Sequence, residues 1–179
     1  MGDSVGTIIA IFVAAILMFL FPLLAISERN EDIAQLATQE AVTEFVNKVT
    51  TAGLLKSSDY DMFIEKLAAT GNTYEIKVEI QHLDENLGKK AGITSGDLIG
   101  ENVRYSTFTT AIFENTDFLE QGAYPLKKGD IVIVTVTNTN ETIAQVLRGF
   151  FYNVTGQGTY QVGASYSGMV INNGNLGTE

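Results

Sequence analysis

Between Thr7 and Ile26 the chain reads TIIAIFVAAILMFLFPLLAI, twenty consecutive residues without a charge. As an α-helix this stretch is ~30 Å long, which matches the hydrocarbon thickness of a bilayer. No other part of the 179-residue chain is comparable in length or purity. The expectation is a membrane anchor near the N-terminus, with everything after Ser27 working at a membrane surface. A cleavable secretory signal would have a basic first region, a shorter apolar core and a small-x-small cleavage site. Residues 1–6, MGDSVG, hold one acid and no Lys or Arg, and Leu24-Ala25-Ile26-Ser27-Glu28 is a poor cleavage site. The stretch therefore reads as an uncleaved anchor.

After a polar collar, SERNED, apolar residues recur at three and four: Ile33, Leu36, Ala37, Ala41, Val42, Phe45, Val46 and Val49. That is the spacing of one helix face. No Gly or Pro interrupts the chain between Leu23 and Ala52, and Gly53 supplies a C-terminal stop. The spacing predicts one helix from about Ser4 to Thr51, ~70 Å long, apolar all round in its first half and amphipathic in its second. Pro22 removes one backbone donor and crowds the preceding turn, so a kink is expected there.

The remainder reads as a single α+β head in two layers. Ser58 is placed to cap a short helix with Asp59 and Asp61 in its first turn and Tyr60, Phe63, Ile64 and Leu67 on its buried face, ending at Gly71. Residues 74–82 alternate strictly, with Ile76, Val78, Ile80 and His82 on the apolar side, which marks a half-buried strand. Asp84 to Asn102 reads as a long loop and Val103 to Phe113 as a strand. Ile131 to Thr137, IVIVTVT, is a β-branched run suited to a central strand. Asn138 to Asn140 are placed to cap a helix through Ile143, Val146, Leu147, Phe150 and Phe151. Tyr160 to Val170 alternates as a last strand. The expected core joins Phe63, Ile76, Val78, Ile80, Ile133 and Phe150. The expected fold is a long N-terminal helix packed on a head with a four-stranded antiparallel sheet and two short helices. Its divisions are a stub at 1–6, a transmembrane helix at 7–26, an amphipathic continuation at 27–53, the head at 54–171 and a flexible tail at 172–179.

Composition narrows the function classes. A formal net charge of −10 leaves no basic patch for nucleic acid. The chain has no cysteine, so disulfides and thiolate metal sites are excluded. His82 is the only histidine and reads as a satisfied residue at a strand end. No G-x-S-x-G, H-E-x-x-H or P-loop pattern occurs. Asp59-Tyr60-Asp61 is more economically a pair of acids at a helix start than a metal site. Asp84-Glu85-Asn86-Leu87-Gly88 lacks the glycine and glutamate positions of an EF-hand loop and offers at most weak Ca²⁺ contact. Gly156-Gln157-Gly158 reads as a turn. Asn140-Glu141-Thr142 and Asn153-Val154-Thr155 match a glycosylation sequon that occurs often by chance. No catalytic, metal or cofactor residue is assigned, and the chain is not expected to be an enzyme.

A short stub, an immediate apolar helix and its uninterrupted amphipathic continuation into a small α+β head together resemble type IV pilin-like proteins, most of all the TadE-like pseudopilins of tight-adherence pili and related secretion systems. Gly2 resembles the residue after which a prepilin peptidase cuts, and Pro22 falls where helices of this family are often kinked. Thr7 stands where the family usually has a glutamate. The resemblance implies a structural subunit, pilin or minor pseudopilin, held in the cell membrane by a single pass with its head outside. Its partners would be itself or other pilins, with a secretion platform and ATPase acting indirectly. The charge bias, with no Lys or Arg before the span and Arg29 and Lys48 after it, points the other way, towards a cytoplasmic head. Close packing between membrane helices needs small residues, and Gly6, Ala10 and Ala14 at i, i+4 and i+8 form one such stripe. A membrane-anchored binding domain, an adhesin or a sensor, is the alternative. The amphipathic continuation weighs against it, because a simple tether needs none.

Overall fold

The computed structural model describes residues 2–83, 104–152 and 162–176. One helix, α1 (Gly2–Ala52), runs without a break through Pro22. It is the one helix among the described residues long and apolar enough to cross a membrane. It ends where Gly53 takes a left-handed φ of 68°. A β-carbon on Gly53 would collide with the carbonyl oxygen of Asn172, so the position needs glycine for both its backbone angle and its close neighbour.

The head follows as β1 (Leu54–Lys56), α2 (Ser57–Ala68), β2 (Tyr74–Leu83), β3 (Arg104–Phe108), α3 (Thr109–Phe113), α4 (Thr116–Gln121), β4 (Ala123–Pro125), β5 (Ile131–Asn138), α5 (Ile143–Tyr152) and β6 (Gly163–Met169). The main sheet is antiparallel in the order β3-β2-β5-β6, and β1 pairs with β4 in a separate two-stranded sheet. The chain is therefore α+β, a long helix packed on a head with a four-stranded antiparallel sheet. It has four short helices among the described residues rather than the expected two.

The core lies between the sheet, α2 and the second half of α1. Ala41, Val42, Phe45, Val46 and Val49 of α1 pack with Phe63, Leu67, Val78, Ile80, Val132, Val134 and Val136. Register explains which side of β5 is inside. Val78 faces Val134 and Ile80 faces Val132 across the ladder, so the even residues share the α1 side. Ile133 lies opposite Glu79 and is only half buried, which corrects its placement in the core. Ile76 is partly buried at the core margin. The side chain of Phe150 lies outside the described residues.

Several local expectations change. The stretch expected as one strand to Phe113 divides at Thr109, whose hydroxyl accepts from Val78 N (2.8 Å) and donates to Val78 O (3.2 Å). This side chain replaces a rung of the ladder, and the backbone turns into α3. α2 begins at Ser57 after Lys56 with no side-chain cap, instead of being capped by Ser58. Asn138 is the last residue of β5. The cap of α5 is a capping box, in which Thr142 N donates to Gln145 Oε1 (3.0 Å) and Gln145 N donates to Thr142 Oγ1 (3.2 Å). The first residues of the expected tail are docked: Gly174 N donates to Leu126 O (2.8 Å), and Asn172 Nδ2 donates to Thr51 O (2.8 Å). The loop read at 84–102 and the turn at 156–158 lie outside the described residues, as do Asn153 and the Tyr160 start of the last strand.

Candidate functional site

The surface of α1 is the main candidate, and it divides into three zones. From Ser4 to Ile26 every side chain is exposed except the half-buried Leu20 and Leu24. Met18 and Phe19 are each about three-quarters exposed. Moving one such side chain out of water is worth ~1.5–3 kcal/mol, so a surface this apolar needs a nonaqueous partner. Gly6, Ala10 and Ala14 lie on this zone and are exposed, and nothing stands within 4 Å of the place where a β-carbon on Gly6 would be.

The middle zone, Ser27 to Gln35, is gripped by polar contacts from the far end of the sequence. Glu31 is buried, accepts from the Thr142 hydroxyl and pairs with the Arg148 guanidinium. Arg148 also lies 3.7 Å from Glu28. Gln35 bonds both backbone groups of Gly163: its Nε2 donates to Gly163 O (2.6 Å) and its Oε1 accepts from Gly163 N (2.9 Å). The amide side chain thus serves as one rung at the edge of β6.

The third zone runs from Ala34 to Ala52. Its inner side is set by Ala34, Thr38, Ala41, Val42, Phe45, Val46 and Val49, all buried. Ile33 and Leu36, expected on that side, are exposed, because the head covers the arc containing Ala34 and Thr38. The Thr38 hydroxyl sits 2.9 Å from Tyr74 OH, which seats this arc on β2. On the flank, Lys48 pairs with buried Asp59 at 2.9 Å and Lys66 pairs with Glu44. Asp59 is thus the partner of an α1 lysine, while Asp61 is exposed.

A second cluster surrounds His82. Its Nδ1–H donates to Asp130 Oδ2 (3.0 Å), since a carboxylate only accepts, and its Nε2 lies 3.4 Å from Tyr124 OH. Burial raises the Tyr124 phenol above its ordinary range and keeps it neutral. Asp130 also accepts from Lys127 N (2.9 Å) and Leu83 N (3.4 Å). These bonds tie the end of β2 to the turn before β5. On the outer face of the sheet, Glu79 accepts from Ser106 (2.7 Å) and Gln81 (3.0 Å), and these bonds hold its carboxyl below the usual range.

Sequence reasoning did not find Asp130, Gln35 or the Glu31–Arg148 pair, because each partnership spans 48 residues or more and leaves no local pattern. Comparison with family models, curated proteins and solved structures finds no match for this chain.

Proposed function

We propose that the chain is a structural subunit, a pilin or minor pseudopilin, of a type IV-like or Tad-like filament. In this reading the Thr7–Ile26 zone holds the subunit in the cell membrane as a single pass before assembly, with the head outside. One observation carries the proposal: a single unbroken helix is bare and apolar at one end and a core element of the head at the other. A tether to a binding domain needs no such continuity. A filament subunit does, because force and position pass from the packed helices to the head without a joint. Leu36, exposed beyond the span on the side away from the core, offers a contact for neighbours.

The Gly6–Ala10–Ala14 stripe is the proposed place of closest helix approach, since small residues let backbones meet where lipid supplies no hydrophobic drive. The absence of cysteine makes an introduced one unique. With Ala10→Cys, disulfide-linked dimers are expected in the membrane, while Phe12→Cys, on another side, cross-links less. Ala10→Leu with Ala14→Phe is expected to abolish surface filaments or in-membrane cross-links while the head still unfolds at the wild-type denaturant concentration. Filaments or cross-links that persist in this variant, with loss from a substitution on the opposite face, overturn the stripe. If no variant shows contact with itself or another pilin, the subunit reading gives way to the anchored binding domain.

A further inference from the structure

α5 carries an apolar surface that the head does not use. Ala144 and Gln145 are buried against the rest of the protein, while Ile143 is 67% and Val146 56% exposed. Its position along α1 is set by the contacts of Arg148 with Glu28 and Glu31 and of Thr142 with Glu31. Glu28 and Glu31 stand two and five residues beyond Ile26, the last residue of the uncharged stretch. At 1.5 Å per residue that is ~3 and ~8 Å along the helix. The headgroup layer on each side of a bilayer is itself about 5–8 Å thick. α5 therefore stands at the depth of the headgroups, and this placement rests on the reading of residues 7–26 as a membrane span.

The neighbouring surface has the composition that such a layer tolerates. A half-open cleft of about 300 Å³ between α1 and α5 is lined by the polar Ser27, Asn30, Thr70, Asn72, Asn140 and Thr142 and by Glu31, whose carboxylate is held by Thr142 and Arg148. Apart from that paired carboxylate the polar groups are uncharged, so they exchange water for headgroup contacts at little cost. Around α5, residues 139–149 hold no lysine, and their one arginine is committed to Glu28 and Glu31. Residues 27–34 add Glu28, Glu31 and Asp32 against Arg29. This end of the head is net acidic, which disfavours anionic lipid and suits a zwitterionic surface.

From this placement we infer that α5 is an interfacial helix, which rests Ile143 and Val146 on the headgroup–acyl boundary of zwitterionic lipid in the bilayer that α1 spans. It is a second membrane contact and holds the head down before assembly. The polar Gln145 and Arg148 turn towards the protein while Ile143 and Val146 face out, so the outward side of α5 is the apolar one. Release of the subunit from the membrane would then uncover α5 as well as the span.

The chain has no tryptophan, so one introduced indole reports alone. Full-length Val146→Trp and Ile143→Trp, each replacing an exposed side chain, are reconstituted in dioleoylphosphatidylcholine vesicles with and without acyl-chain-brominated lipid. Leu119→Trp, on α4 next to β4 at the far end of the head, gives the aqueous reference, and Phe12→Trp reports the span. The expected result is blue-shifted emission for both α5 variants relative to Leu119→Trp, with loss of intensity on bromination and shielding from acrylamide. Water-like emission from both α5 variants that bromolipid leaves unchanged would overturn the inference. So would a blue shift that depends on protein density and is insensitive to bromolipid, which would mean that a second copy covers α5. Quenching of Phe12→Trp without quenching on α5 removes this inference alone. Failure to quench Phe12→Trp removes the membrane-span reading beneath it.

Discussion

Phe45→Ala tests whether the head is built on α1 or merely attached to it. The Phe45 ring is 4% exposed, stacks on Phe63 with centroids 4.6 Å apart and planes 9° from parallel, and lies 6.1 Å from Tyr60. The aromatic contacts continue from Tyr60 to Phe113 (4.6 Å) and from Phe113 to Phe118 (4.9 Å), so α1, α2, α3 and α4 meet through rings. Truncating a buried phenylalanine costs ~3–5 kcal/mol through lost burial and the cavity left behind. Of this, about 0.5–1.5 kcal/mol belongs to the ring–ring geometry. Against a typical domain stability of about 5–15 kcal/mol this is a large fraction. Leu36→Ala is the comparison: it removes a large apolar side chain from the same helix, but one that is 69% exposed, and is expected to stay within ~0.5 kcal/mol. The assay is urea unfolding of the full-length protein in a mild detergent, followed by the near-ultraviolet circular dichroism of its tyrosines. A Phe45→Ala loss under ~0.5 kcal/mol, or a Leu36→Ala loss of equal size, would refute the assignment of the two helix faces.

Val78→Asp places a carboxylate at a buried site with no cation assigned to it and is expected to cost several kcal/mol in the same assay, whereas Glu79→Lys on the outer face should cost about 0.5 kcal/mol or less. Equal costs would mean that the facing of β2 is wrong. Burial and then the nearby Asp61 raise the Tyr60 phenol above its ordinary 10.0, so the fold favours the neutral form. That contribution is complete below the unfolded value and is lost as pH rises through the folded one, so Tyr60→Phe should shrink the loss of stability above about pH 10, and an unchanged alkaline limb in a pH series would contradict this. Full-length protein is expected to stay with membranes through alkaline carbonate and to leave them in detergent; its recovery in the aqueous fraction without detergent would remove the anchor.

The parts of this fold that the sequence determined are those governed by near neighbours in the chain. Twenty uncharged residues specify a bilayer-length helix, the lack of Gly or Pro after Leu23 lets it continue, and Gly53 ends it. Strict alternation from Tyr74 onward defines β2 and places Val78 and Ile80 inside. Where both faces of a segment are apolar, periodicity is silent. Ile131 to Val136 could turn either side inward, and only pairing with β2 put Val132, Val134 and Val136 in the core and left Ile133 outside. The same limit applies to α1, where Ile33 and Ala34 both suit an apolar face, and only packing against the head decided that Ala34 is covered and Ile33 is not. Thr109 reads as strand until Val78 is beside it. Asp130 with His82, Gln35 with Gly163, and Glu31 with Arg148 are polar groups whose partners arrive from far along the chain. Burial makes an unpaired polar group costly, so these pairings are required by the tertiary structure, but local spacing carries no trace of them.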